Sequence, residues 1–297
     1  MLNLQGMLFL LTLLGFYTRK RNIITPEARA HLSDLLIEVI LPMNILSSFD
    51  MQLDNGLLKR AALALVLSFG VQILSFIASQ FLYRKADAPK QSVLRYSTVV
   101  SNAGFMGLPI VRAAMGTEAA LYASIALIPI RIFMWSAGLS LFTKTDAKSA
   151  LKRLVTHPCN IAVAAGFVVL LIPGGLPDIL AGAVTSVGSC ATAVSMLIIG
   201  GFLAEIDFKS VITKDSLYYS ALRLLLIPMA VLGIMTLLKV DRLLAGAIIL
   251  LAAMPAGSTT AILAAKYGGD AAFASKIIFV STILSLVTIP VFSLLAA

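Results

Sequence analysis

Carboxylates are scarce in this chain. Asp and Glu number 14 against 23 Lys and Arg, and charged residues of both signs make up only 12% of it. Soluble domains carry roughly twice that charged fraction. With 59% hydrophobic residues and a mean hydropathy of +0.97, the chain reads as a polytopic membrane protein. Cysteine is nearly absent as well. Cys159 and Cys190 both fall in apolar segments, which excludes a disulfide framework and a thiolate metal site. The two histidines, His31 and His157, sit at segment edges. No mid-membrane His, no Asp pair and no HExxH pattern is present, so an intramembrane enzyme lacks a catalytic constellation. No cofactor or metal motif appears either.

The placing of the few acids matters. Between Leu94 and Phe142 the sole carboxylate is Glu118, and from Leu243 to the end it is Asp270. Both stand at helix starts. A proton or sodium antiporter would hold its cation with carboxylates in the membrane, so this pattern disfavours that alternative. The net charge of +9 raises the question of nucleic acid. The basic residues, however, gather in particular loops, as the positive-inside rule requires, and no nucleic-acid partner is expected.

What is present is a series of ten apolar segments near membrane length, at about 2–17, 32–49, 61–83, 92–115, 119–142, 157–172, 179–203, 216–238, 243–267 and 271–295. The first lacks a basic region before its apolar run and a small-residue cleavage site after it, so it reads as a retained helix. Arg19, Lys20, Arg21 and Arg29 follow it. Arg84, Lys85, Lys90 and Arg95 follow the third segment, and Lys144, Lys148, Lys152 and Arg153 the fifth. Lys209, Lys214 and Lys266 continue the series, against Lys59, Arg60, Arg112, Lys239 and Arg242 on the other side. This bias predicts a protein of the cytoplasmic membrane with both termini outside. The tyrosines fall near expected helix ends, as an interfacial belt would have them.

The polar stretch 143–156 divides the chain into five segments and five, 1–148 and 149–297. An odd number inserts the second half upside down, the layout of an inverted repeat. Gly116-Thr117-Glu118-Ala119-Ala120 echoes Gly268-Gly269-Asp270-Ala271-Ala272 at an offset of 152, with the acid in the first turn of the next helix.

Two stretches break the apolar pattern at corresponding places. One is Ser101-Asn102-Ala103-Gly104-Phe105-Met106-Gly107-Leu108-Pro109 and the other Met254-Pro255-Ala256-Gly257-Ser258-Thr259-Thr260. Proline removes a donor and presses on the preceding turn. Backbone groups freed in lipid must be satisfied by protein, water or ligand, and paired interruptions point to a transporter site. Asn102 offers a donor and an acceptor. Gly104 and Gly107 allow close approach, Pro109 and Pro255 free carbonyls, and Gly257, Ser258 and Thr259 open a half-helix N-terminus toward an anion. The plainer account is a kinked helix packed on its glycines, with hydroxyls bonded back to their own helix.

Arg131 falls near the middle of the fifth segment. An arginine there costs about 2.5–3.5 kcal/mol on insertion scales and usually marks a pathway or an ion pair. Glu38 is the candidate protein partner; otherwise a substrate carboxylate would be. Arg223 lies nearer a helix end and is expected to snorkel.

The run Asn102-Ala103-Gly104-Phe105-Met106-Gly107-Leu108-Pro109, with Met115-Gly116, resembles the fourth-helix signature of the auxin efflux carrier family. Ala253-Met254-Pro255-Ala256 leading to Ala265-Lys266-Tyr267-Gly268-Gly269-Asp270 resembles its ninth. Leu41-Pro42 and Gly15-Phe16-Tyr17 also fit, so the resemblance spans nearly the whole chain. It implies an all-α membrane protein of ten transmembrane helices in two inverted five-helix repeats, like the bile-acid symporters and sodium/proton antiporters. Helices 4 and 9, broken at Pro109 and Pro255, would cross at the substrate site. Helices 1, 2, 6 and 7 would form a scaffold, often dimeric, and helices 3–5 and 8–10 a transport domain that moves like an elevator. The substrate would be an organic anion such as malonate, malate or an auxin-like acid. The central loop is short, unlike the long regulatory loop of the plant members.

Overall fold

Three of the long apolar segments change pitch at the same kind of place, just ahead of a proline. The five-residue π-turns Leu36–Ile40, Ala103–Gly107 and Leu222–Leu226 precede Pro42, Pro109 and Pro228. Proline lacks an N–H and its ring presses on the carbonyl four residues back. One wider turn moves that carbonyl aside, the form in which π-helix usually occurs.

The structure, a computed structural model, describes residues 2–50, 55–84, 86–142, 147–172, 175–204, 211–257 and 259–296. The chain runs α1 (Leu2–Lys20), α2 (Pro26–Leu35), the first π-turn, α3 (Leu41–Phe49) and α4 (Asn55–Leu82). Then come α5 (Ala88–Val99), the second π-turn, α6 (Leu108–Trp135), α7 (Ala137–Ser140), α8 (Ala147–Thr156), α9 (Pro158–Leu170) and α10 (Asp178–Ala204). It ends with α11 (Lys214–Ala221), the third π-turn, α12 (Ile227–Leu237), α13 (Arg242–Ala252), α14 (Thr259–Tyr267) and α15 (Ala271–Ala296). The described residues form no strand. Among the described residues six helical stretches are long and apolar enough to cross a membrane: Pro26–Phe49, Gly56–Leu82, Leu108–Ser140, Asp178–Gly201, Lys214–Leu237 and Ala271–Ala296. Pro158–Leu170 and Arg242–Ala252 are shorter apolar helices. This is the all-helical, multi-pass membrane protein that the composition called for.

The segments expected at 92–115 and 243–267 are each cut in two, at residues 100–102 and 253–257. The echoed glycines share a positive φ. Gly116, with φ 87°, turns the chain inside α6, and Gly268, with φ 79°, turns it ahead of α15. L-residues avoid this left-handed region, which gives the echo a physical reason. The two acids then part company. Asp270 Oδ1 caps α15 by accepting from the Phe273 N–H at 2.8 Å. Glu118 instead pairs with Arg60 of α4 at 3.2 Å and accepts from the Tyr122 hydroxyl at 2.5 Å.

The helices pack in two groups. α1, α2, α3, α9 and α10 pack on one another, while α4, α5, α6 and α11–α15 form the other group, in which α13 packs against α4, α6, α12 and α15; α3 against α6 is the main contact between groups. At the α1–α10 crossing Gly200 lies against the Thr12 carbonyl and Gly15 against the Leu197 carbonyl, with no room for a Cβ. Small residues permit this approach between membrane helices. α13 is buried from Leu244 to Ala252, which holds the second break deep in its group. Outward-facing Leu10, Val66, Phe81, Val168, Ile179 and Val287 are exposed, as lipid-facing residues are.

The tyrosine belt is only partly present. Tyr17 and Tyr218 are exposed, but Tyr83, Tyr96, Tyr122 and Tyr219 are buried. Each buried phenol has a partner: Thr98 for Tyr83, Thr259 for Tyr96, Glu118 for Tyr122 and the Ser97 carbonyl for Tyr219.

Candidate functional site

The two breaks meet. Val100 leaves α5 with extended dihedrals, and Ser101 forms an isolated antiparallel bridge with Ala256. The Asn102 N–H donates to the Pro255 carbonyl at 2.8 Å. Gly257 lies over the same extended stretch: a Cβ there would stand 3.1 Å from the carbonyl oxygens of both Val100 and Ser101. The Ala256 N–H donates to the Ser281 hydroxyl of α15 at 3.2 Å. Backbone that two helices cannot satisfy alone is thus satisfied across the crossing, as an apolar surround demands.

A helix leaves its last carbonyls without intrahelical donors. At the end of α5 two other helices supply them, α4 and the continuous stretch of α11 with the third π-turn. The Tyr219 hydroxyl donates to the Ser97 carbonyl at 2.9 Å, Arg223 Nη1 to that of Thr98 at 3.4 Å, and Gln72 Nε2 to that of Val99 at 2.6 Å. Arg223 Nε also donates to the Met254 carbonyl, just past α13, at 2.9 Å. One guanidinium therefore joins the C-terminal ends of both interrupted helices, where the helix dipole is negative.

On the other side of the bridge two helical pieces begin. The π-turn and α6 start directly after Asn102, and α14 starts at Thr259. The side-chain amide of Asn102, 9% exposed, makes no hydrogen bond among the described residues. The Tyr96 hydroxyl donates to Thr259 Oγ1 at 3.2 Å. The Thr260 hydroxyl is fully buried and has no partner among the described residues.

The residues singled out in the sequence divide accordingly. Asn102, Pro255, Gly257 and Thr259 are brought to the crossing. Gly107 packs beside it, where a Cβ would stand 2.8 Å from Leu251 and 3.0 Å from Met254. Gly104 faces open space, with no atom within 4 Å of a Cβ position. Pro109 is buried behind the π-turn. Ser258 lies outside the described residues. Arg131 is buried, but its hydrogen bond runs from Nη1 to Asn160 Oδ1 of α9 at 3.1 Å. Glu38, its expected partner, forms no ion pair among the described residues.

Arg223 departs most from expectation. It does not snorkel; it is 4% exposed and bonded to main chain on both breaks. The signal available in the sequence was its place one turn after Tyr219 and just ahead of Pro228, a polar face in an apolar helix that has to widen. Beside it lies a cavity of about 30 Å³, whose lining includes Ser68, Gln72, Thr98, Ser101, Arg223 and Ala252. That is room for about two waters. A ligand larger than that does not fit this cavity as it stands.

The profile of a family described as "Membrane transport protein" matches residues 7–153 and 146–293. A protein of Methanothermobacter thermautotrophicus described as an uncharacterized transporter is 27% identical over 286 residues, which is 95% of this chain and 94% of that one.

Proposed function

The chain belongs to the membrane transport protein family, and from that premise we propose that it is a secondary carrier of a small organic anion. The substrate class is a carboxylate such as malonate, malate or an auxin-like acid, in keeping with the resemblance of both break motifs to the auxin efflux carriers. The observation that carries this reading is Asn102. Its N–H is committed to Pro255, while its amide side chain, at the start of a helix, makes no hydrogen bond among the described residues. An amide donor beside two half-helix N-termini suits an anion. Gly104 keeps the approach open, Gly107 and Gly257 let the broken segments pack closely, Pro109 and Pro255 maintain the breaks, and Thr259 adds a hydroxyl; Ser258 joins them in this reading from the sequence alone. Arg131, at the contact with α9, supplies positive charge.

We read the fold as ten membrane crossings in two inverted repeats, 1–148 and 149–297. The paired breaks and the left-handed glycines at a spacing of 152 support it. In this reading the α1–α3, α9 and α10 group is the scaffold, through which two copies pair. The other group moves against it like an elevator, in the cytoplasmic membrane, with both termini outside.

Thermal stabilisation of the purified protein by mono- and dicarboxylates, amino acids and sodium tests the proposal, since a ligand of the folded state raises the melting temperature by mass action. A shift with one carboxylate class, lost in Asn102→Ala and Arg131→Gln, is the expected result. A shift with sodium alone would replace it with a cation-coupled antiporter.

A further inference from the structure

We infer that Arg223 is a tethered cation, built into the place where a carrier of this architecture would bind a free coupling ion. In transporters with interrupted helices, unwound carbonyls and half-helix C-terminal ends are the groups that coordinate sodium. This protein has such a set, formed by the Thr98 carbonyl from the end of α5 and the Met254 carbonyl from the end of α13. Both accept from one guanidinium. Among the described residues that line the adjacent cavity none is acidic, so the positive charge is balanced there by main-chain dipoles. The widened turn ahead of Pro228 carries Arg223, and the chain four residues earlier is pinned by Tyr219 to Ser97. The cation is thus fixed to the protein and satisfies both helix ends in every cycle. An ion that leaves and returns is not needed.

The consequence for transport rests on the carrier reading; the chemistry of the guanidinium site does not. Two arms of one experiment separate them. In the first, full-length wild type, Arg223→Ala and Arg223→Lys are melted in methylguanidinium, sodium and choline chlorides at equal ionic strength, without substrate. Wild type is expected to melt alike in all three. Arg223→Ala should melt lower in choline and recover saturably in methylguanidinium, which fits the vacated space and the cavity beside it. Arg223→Lys, which keeps the charge, should retain most of the stability and ignore the salt. Stabilisation of wild type by sodium over choline would overturn the inference, as would an Arg223→Ala variant that melts like wild type or recovers equally in choline. Should Arg223→Ala not fold, Arg223→Gln takes the same salts. Should neither fold, Arg223→Lys decides, a folded and salt-indifferent variant supporting the inference and an unfolded one overturning it.

In the second arm the carboxylate-induced shift is followed in the same salts. It should be equal in sodium and choline for wild type. In Arg223→Ala it should weaken in choline by about tenfold or more in apparent affinity, the scale of one lost charged hydrogen bond, and return with methylguanidinium. A carboxylate shift that persists unchanged in Arg223→Ala would detach the tethered cation from transport. No carboxylate shift in any protein would defeat the carrier reading while the first arm still reports on Arg223.

Discussion

Among the described residues two arginines are buried within the helices, and they are held in opposite ways. Arg131 relies on one side chain, Asn160 of a neighbouring helix. Arg223 relies on two main-chain carbonyls, from residues 98 and 254, that are free only because two helices break. A buried charge with no acid nearby looks like half of a missing ion pair. The comparison shows another solution. A helix C-terminus carries a partial charge of about −0.5, so two of them can balance one guanidinium without a carboxylate. The first arrangement can be dismantled by a point mutation of the partner; the second cannot, because its acceptors belong to every residue type.

The sharpest way to break that contrast is Asn160→Leu. It leaves Arg131 buried beside an apolar side chain, and losing a partner for a charged group should cost about 2–3 kcal/mol. The double variant Arg131→Met/Asn160→Leu should recover most of this, since replacing both partners by apolar groups is often neutral. Apparent melting temperatures of the two variants decide the matter. Equal losses in both would show that Arg131 has further essential partners.

Arg131→Gln sharpens the functional side. It keeps a donor for Asn160 and removes the charge. Transport of a dianion in proteoliposomes should show a KM raised by about tenfold or more, with little change for a neutral analogue. Unchanged kinetics would remove Arg131 from the substrate path.

Tyr219→Phe tests the Arg223 side more gently. It deletes the donor to the Ser97 carbonyl inside a fully buried site, which should cost about 1–2 kcal/mol. Because Arg223 and Gln72 still cap the neighbouring carbonyls, α5 should stay formed. Accelerated amide exchange limited to the end of α5 would be the signature, and exchange spreading through α13 would show that the two ends are coupled.

These differences mark what the sequence could reveal. Proline and glycine announce breaks because their effect on backbone is local, so Ser101–Pro109 and Met254–Thr260 were legible. The paired Gly-acid motifs were legible for the same reason, although Glu118 turned out to face Arg60 instead of capping its helix. The tyrosines misled because a helix end was equated with a membrane surface. In a broken helix the end lies inside, which is where Tyr96 and Tyr219 sit. Arg223 was legible only as a polar position one turn after Tyr219 and ahead of Pro228; its acceptors are main-chain atoms of distant segments, and no residue type marks a freed carbonyl. Arg131 stood out by position alone, and nothing in the sequence ties it to Asn160, the single amide on α9.

The smallest expected effect concerns a group that neither arginine serves. Thr260 sits in the first turn of α14, fully buried, with a hydroxyl that finds no partner among the described residues. A buried hydroxyl without a hydrogen bond is destabilising relative to a methyl group of the same shape. Thr260→Val should therefore leave the melting temperature of the ligand-free protein unchanged or raise it, by no more than about 1 kcal/mol in stability. The neighbouring Thr259 makes the control, because its oxygen accepts from Tyr96 and Thr259→Val leaves that phenol unpaired. Stabilisation by the first variant and loss by the second would show that the crossing tolerates one idle hydroxyl at a helix start. A loss of similar size from both would mean that Thr260 is satisfied by a water or ligand held between the two broken helices, and would place a polar occupant on the N-terminal side of the bridge, opposite Arg223.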